Sequence, residues 1–117
     1  MTIPKEALLE KIKKAYVVVL NVLPEEEFKG LHIQGSNNLP LKQDHGSFAQ
    51  AAELKYGRDK FFIVYGSSIS SLDALSAAAA PRKRGLWAEA YLEGVEDWSG
   101  AGYPTEGTNA WKREALK

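Results

Sequence analysis

The sequence predicts an α/β protein of three layers, with a mainly parallel central sheet covered by helices on both faces. Three observations carry this prediction. The runs Tyr16 to Val22 and Phe61 to Tyr65 are short, unbroken and rich in β-branched or aromatic residues, as strands buried on both faces are. Segments with helical spacing or helix punctuation separate such runs. Hairpin turn signals between the strands are lacking, so crossovers join them and the strands run parallel.

Each element follows from local chemistry. Pro4 to Lys14 places Ile3, Leu8, Leu9 and Ile12 at helical spacing among lysines and glutamates, a first helix whose apolar face should meet a sheet. Tyr16 to Val22 is the first strand. Pro24 then opens a short helix, Glu25 to Lys29, because proline suits the first helical turn and glutamates there complement the helix dipole. Asn37 to Leu41 reads as a brief strand. Gly46 to Tyr56 repeats apolar residues at Phe48, Ala51, Ala52 and Leu54 and stops before Gly57, a helix with its C-terminal signal. Phe61 to Tyr65 is the second buried strand. Leu72 to Ala80 is helical, with Ser70 or Ser71 as N-cap and Pro81 as its end. Trp87 onward, "WAEAYLEG", is the last strand, Val95 to Gly100 a further short helix, and the tail from Thr108 to Lys117 a terminal helix.

At 117 residues the chain fits one domain, 1–117, and it shows no linkers, repeats or low-complexity segments. Its 44% hydrophobic and 26% charged residues suit an ordinary soluble globular protein. Fifteen basic residues balance fifteen acidic ones, so no net field draws in nucleic acid or an anionic membrane, and neither is expected as a partner. Cysteine is absent, which excludes disulfides, thiolate metal sites and every mechanism that passes through a cysteine intermediate. The start, Met1 to Glu6, carries no apolar signal core and no stretch approaches spanning length; the cytoplasm is the expected compartment.

Ligands of open parallel sheets bind beyond the carboxyl ends of the strands, which points to the loop Gly66, Ser67, Ser68, Ile69, Ser70, Ser71. Its amides and four hydroxyls could ring a small anion. The loop has no cation, however, and Asp73 in the next helical turn would repel an anion. The plainer reading makes these serines a turn and a helix cap. Serine catalysis needs a base, and only His32 and His45 are available; the Gly-x-Ser-x-Gly elbow of serine hydrolases is missing. His32 is expected to hold a turn by bridging backbone groups, and His45 to be an exposed loop residue. Two histidines without local carboxylate spacing give no metal site. Arg82, Lys83 and Arg84 form a solvated flank of the preceding helix, Trp87, Tyr91 and Trp98 are expected in the core, and Gly100 to Gly102 is a helix stop before the Tyr103-Pro104 turn.

Four segments resemble, in order, the rhodanese domain, a sulfurtransferase-related α/β fold. They are "VVVLNVLPEEEF" (Val17 to Phe28), "HIQGSNNLP" (His32 to Pro40), "FFIVYGSS" (Phe61 to Ser68) and "YLEGVEDWSGAGYP" (Tyr91 to Pro104). The resemblance covers about 16–106, leaving 107–117 as a tail. It implies a three-layer rhodanese-like fold, and for active members a cysteine just after the strand tyrosine that takes up a sulfane sulfur as a persulfide and passes it to an acceptor. Here that position is Gly66. A cation or second cysteine frequent five residues on is Ser71, and the Asp-x-Arg usual at the end of the first strand is Asn21-Val22-Leu23.

The resemblance and its departures together lead to a catalytically inactive rhodanese-like domain, without metal or cofactor, that binds a protein partner or a small anion. The expected binding loop is Gly66 to Ser71 and the expected rim is Asn21, Leu23 and His32. Two alternatives stay open. One is an enzyme of another type, with Ser67 or Ser68 as nucleophile and His32 as base, or a residual sulfurtransferase-related role. The other is an interaction surface or homodimer with Trp87 or Trp111 exposed; monomer and homodimer are both compatible with the sequence.

Overall fold

A computed structural model describes residues 2–41, 45–70 and 73–108. A four-stranded sheet, all parallel, has the order β3-β1-β4-β5, formed by β1 (Val17–Asn21), β3 (Asn37–Asn38), β4 (Phe61–Tyr65) and β5 (Trp87–Tyr91). β1 and β4 pair along their whole length, from Val17 opposite Phe61 to Asn21 opposite Tyr65. Every residue of β4 is buried, which explains its uninterrupted apolar sequence.

Strand alternation sends the two sets of side chains into two cores. Val18, Leu20, Phe62, Val64, Ala88 and Ala90 meet Phe48 and Ala52 of α3 (His45–Tyr56) and Ala74, Ala77 and Ala78 of α4 (Asp73–Lys83). Val19, Phe61, Ile63, Tyr65 and Tyr91 meet Leu8 of α1 (Lys5–Lys11) and Val95 and Trp98 of α5 (Gly94–Gly100). The expected three layers are therefore present. Each fully buried Leu, Val, Ile or Phe contributes about 1.5–3 kcal/mol, and the doubly covered strands β1 and β4 supply several of them to both cores.

Several elements differ from the sequence reading. α4 continues through Pro81 to Lys83. Proline forfeits only its own bond to the carbonyl four residues back, Pro81 is buried in the core-facing side, and the helix stops instead at Gly85 (φ +84°). There Leu86 N–H reaches Pro81 O and Gly85 N–H reaches Arg82 O, both at 3.0 Å, the pattern of a Schellman cap. Arg82 and Lys83 thus belong to the last helical turn. Arg84 lies beyond it and reaches Glu53, which also binds Arg58. His45 opens α3 rather than sitting in a loop.

The strand expected over Asn37 to Leu41 is two residues long, although Leu39 N–H and Leu41 N–H still bond to Asn21 O and Val22 O. Pro40 between them has no N–H to give. A second, antiparallel pair joins β2 (His32–Ile33) to β6 (Thr105–Glu106), so β5 is not the last strand. Two-residue strands are too short to show alternation in a sequence. Trp87 is 53% exposed, against the core position expected for it: it stands at the start of edge strand β5 and stacks on Phe61 at 4.0 Å. Ser71, the terminal helix and Trp111 lie outside the described residues. Among those described, no helix is long and apolar enough to cross a membrane.

Candidate functional site

The carboxyl ends of β1 and β4 stand side by side, and the side chains closing them form one hydrogen-bonded unit. Tyr65 is fully buried, and that burial pushes its phenol above the ordinary range, so the hydroxyl keeps its proton. Ser36 Oγ donates to Ile33 O at 2.6 Å and therefore accepts from Tyr65 at 2.8 Å. The Tyr65 oxygen in turn accepts from Asn21 Nδ2 at 3.1 Å and from Ile33 N–H at 3.0 Å. Asn21 completes its amide by accepting Leu23 N–H at 2.9 Å through Oδ1. Every polar atom in this buried group has a partner, which ties β1, β2 and β4 together beneath the loop.

Gly66 follows Tyr65 directly and is buried. The loop it begins rests on α5. Val95 N–H donates to Gly66 O and Glu96 N–H to Ser67 O, both at 3.0 Å, so the unpaired amides at the start of α5 are satisfied by loop carbonyls. Gly94 makes this approach possible. Its φ is +76°, and a Cβ there would lie 2.5 Å from the Ser67 carbonyl carbon and 2.7 Å from Ser68 N. Beyond the contact the loop turns outward. Ser68 and Ser70 hydroxyls bond to each other at 2.8 Å, and Ile69 is 66% exposed.

His32 lies elsewhere in the hydrogen-bond scheme. Its Nδ1 bonds to Phe28 O at 2.7 Å, which makes Nδ1 the protonated nitrogen, its ring stacks on Phe28 at 3.8 Å, and Nε2 is 3.7 Å from Glu106 Oε1. It makes no hydrogen bond to Ser67 or Ser68, and among the described residues Ser67, Ser68 and Ser70 have no histidine partner. The expected backbone anchorage of His32 is present on one side, at Phe28 O, while its second nitrogen faces the Glu106 side chain rather than another backbone group.

Beside the loop lies an open groove of about 350 Å³, lined by Leu23, Glu27, Gly30, Leu31, Ser67, Val95 and Glu96. It brings together two residues singled out from the sequence, Leu23 and Ser67; Asn21 lies buried below, and His32 is not in its lining. α2 (Glu25–Gly30) supplies Glu27 and α5 supplies Glu96. No cation lines it. Among the described residues, no group of three or more His, Cys, Asp or Glu side chains is arranged to hold a metal ion.

The model of the rhodanese-like domain family matches residues 4–101. The chain belongs to that family. Among solved structures, this rhodanese-like domain is similar to a Bacillus halodurans protein (TM-score 0.79, 22% identity, covering 99% of this chain and 89% of the other). It is also similar to the rhodanese-like domain of an Anabaena sp. protein (0.74, 20%, 92% and 80%) and to a rhodanese-related protein of Thermoplasma volcanium (0.66, 26%, 90% and 96%). No curated protein matches the chain significantly. The domain keeps the fold of its relatives while its sequence holds no cysteine.

Sequence reasoning passed over Gly94, Glu27 and Glu96. The signal for Gly94 was its place between a strand and a short helix, where a left-handed turn is needed. For the two glutamates there was none, because only the fold brings α2 and α5 to one groove.

Proposed function

We propose that this rhodanese-like domain is non-catalytic and serves as a binding module, meeting a protein partner through the loop from Gly66 to Ser70 and the groove beside it. The observation that carries this reading is the residue at the carboxyl end of β4. Sulfur transfer from thiosulfate needs a thiolate to attack the outer sulfur, releasing sulfite and leaving a persulfide. Gly66 has no side chain, and no cysteine occurs anywhere else in the chain. The neighbouring hydroxyls do not substitute. A serine needs a base to lose its proton, and Ser68 and Ser70 bond to one another instead.

The start of the loop is nevertheless held to α5 by two backbone hydrogen bonds, and further along it Ile69 is exposed. A loop with an outward apolar residue beside an open groove suits recognition. Incubation with thiosulfate followed by intact-mass measurement tests the reading. The expected mass is that of the unmodified chain; gain of a sulfur atom on any residue would overturn it.

A further inference from the structure

We propose that the groove between α2 and α5 receives an arginine or lysine side chain of a protein partner. The proposal rests on the binding-module reading and specifies the chemistry of what is bound. Its basis is the distribution of charge and apolar surface in the groove. The apolar residues Leu23, Leu31 and Val95 line it together with Ser67 and with two acidic residues, Glu27 and Glu96, one from each flanking helix. A long aliphatic stem ending in a cation matches this pattern, since such side chains cover apolar surface while keeping the charged head in water.

The carboxylates are available for it. Among the described residues, neither Glu27 nor Glu96 forms an ion pair, whereas the neighbouring acid on α5, Asp97, is held by Lys5 at 3.2 Å. The one lysine of α2, Lys29, is paired with Glu25 at 3.0 Å. Among the described residues, a cation entering the groove comes beside two acidic residues without ion-pair partners, and an anion comes beside the same two with no cation in the lining. The groove therefore selects against the small anions that a sulfurtransferase pocket admits. Its volume of about 350 Å³ accommodates a single long side chain rather than a folded element. A guanidinium, planar and able to bond two carboxylates through separate edges, suits it better than an ammonium.

The test is a titration of the ¹⁵N-labelled full chain, followed by amide NMR shifts, with a blocked pentapeptide carrying one arginine among glycines. The same peptide with citrulline and inorganic sulfate are run in parallel. Saturable shifts at Leu23, Leu31, Ser67 and Glu96 are expected with arginine alone. Glu27→Gln and Glu96→Gln, both at exposed positions, should each weaken binding roughly two- to fivefold. Absence of saturation up to about 10 mM peptide, or binding indifferent to both substitutions, would overturn the proposal. Sulfate saturating the same amides would reverse the groove's sign while leaving the binding-module reading intact. Shifts on simple dilution of the chain would assign the groove to a second copy instead. Sulfur uptake from thiosulfate would strike the binding-module reading itself, whatever the peptide does.

Discussion

Replacing Gly94 by alanine perturbs the contact that seats the loop on α5, and the structure sets the size of the effect. Residue 94 has φ +76°, where an L side chain costs about 1–2 kcal/mol. The new Cβ would stand 2.5, 2.6 and 2.7 Å from the Ser67 carbonyl carbon, its oxygen and Ser68 N, all backbone atoms that no rotamer change can move aside. Separation of loop and helix would stretch the Val95 N–H to Gly66 O and Glu96 N–H to Ser67 O bonds, each worth about 0.5–1.5 kcal/mol net. The sum is roughly 3 kcal/mol, or a fall of roughly 12 °C in Tm at about 4 °C per kcal/mol for a domain of this size. Thermal unfolding followed by circular dichroism measures it. Gly100→Ala is the matched control. It lies in the same helix, its φ is not positive, and its Cβ would meet nothing within 4 Å, so its Tm should hold or rise slightly. A Gly94→Ala loss below about 3 °C, or equal losses at the two positions, would refute the reasoning.

Tyr65→Phe removes the oxygen shared by Asn21, Ile33 and Ser36 and leaves buried donors unpaired, so urea unfolding should show a loss of about 2–4 kcal/mol; a loss under about 1 kcal/mol would contradict the assignment. Hydrogen bonding from Tyr91 and then from Lys5 holds the Asp97 carboxyl below its ordinary value of 3.8. The folded state then takes up this proton less readily than the unfolded one, so the stabilisation is complete above 3.8 and fades as pH falls through the lower folded value. In Tm measured across acid pH, the advantage of the native chain over Asp97→Asn should shrink in that window; an advantage that grows in acid would be inconsistent. Tyr91 behaves oppositely at high pH. Burial and then Asp97 raise its phenol, so its contribution is intact below 10 and declines as alkali ionises the unfolded chain first. Tyr91→Phe should flatten the alkaline limb of the stability curve, and an unchanged limb would argue against this origin.

The parts of the fold that were legible in the sequence are those whose burial is one-dimensional. β1 and β4 are covered on both faces, so their apolar runs announce them, and the helical spacing of Phe48 and Ala52 marks the face of α3 that reaches the sheet. Elements held by long-range pairing were not legible. β2 and β6 exist because His32 meets Glu106 and Ile33 meets Thr105 across more than half the chain. Pro81 misled as a stop because proline disturbs a helix only one turn back, and the real stop is Gly85, where the left-handed turn lies.

For the candidate site, the sequence supplied the position of Gly66 and the absence of cysteine, since both are statements about identity and spacing. It did not supply the acidic groove. Glu27 and Glu96 lie far apart in the chain and read locally as first-turn acids of their helices, where the dipole alone accounts for them. Only the packing of α2 and α5 about the loop brings both residues to one opening, and the proposed cationic partner rests on that juxtaposition.

Sulfur transfer from thiosulfate to cyanide by the purified, dialysed chain, read as thiocyanate, tests most directly the claim that a rhodanese-like scaffold with glycine at residue 66 carries no sulfurtransferase chemistry. The account predicts thiocyanate equal to that of a protein-free control at every enzyme concentration. Thiocyanate that rises in proportion to the protein and disappears on its denaturation would contradict it.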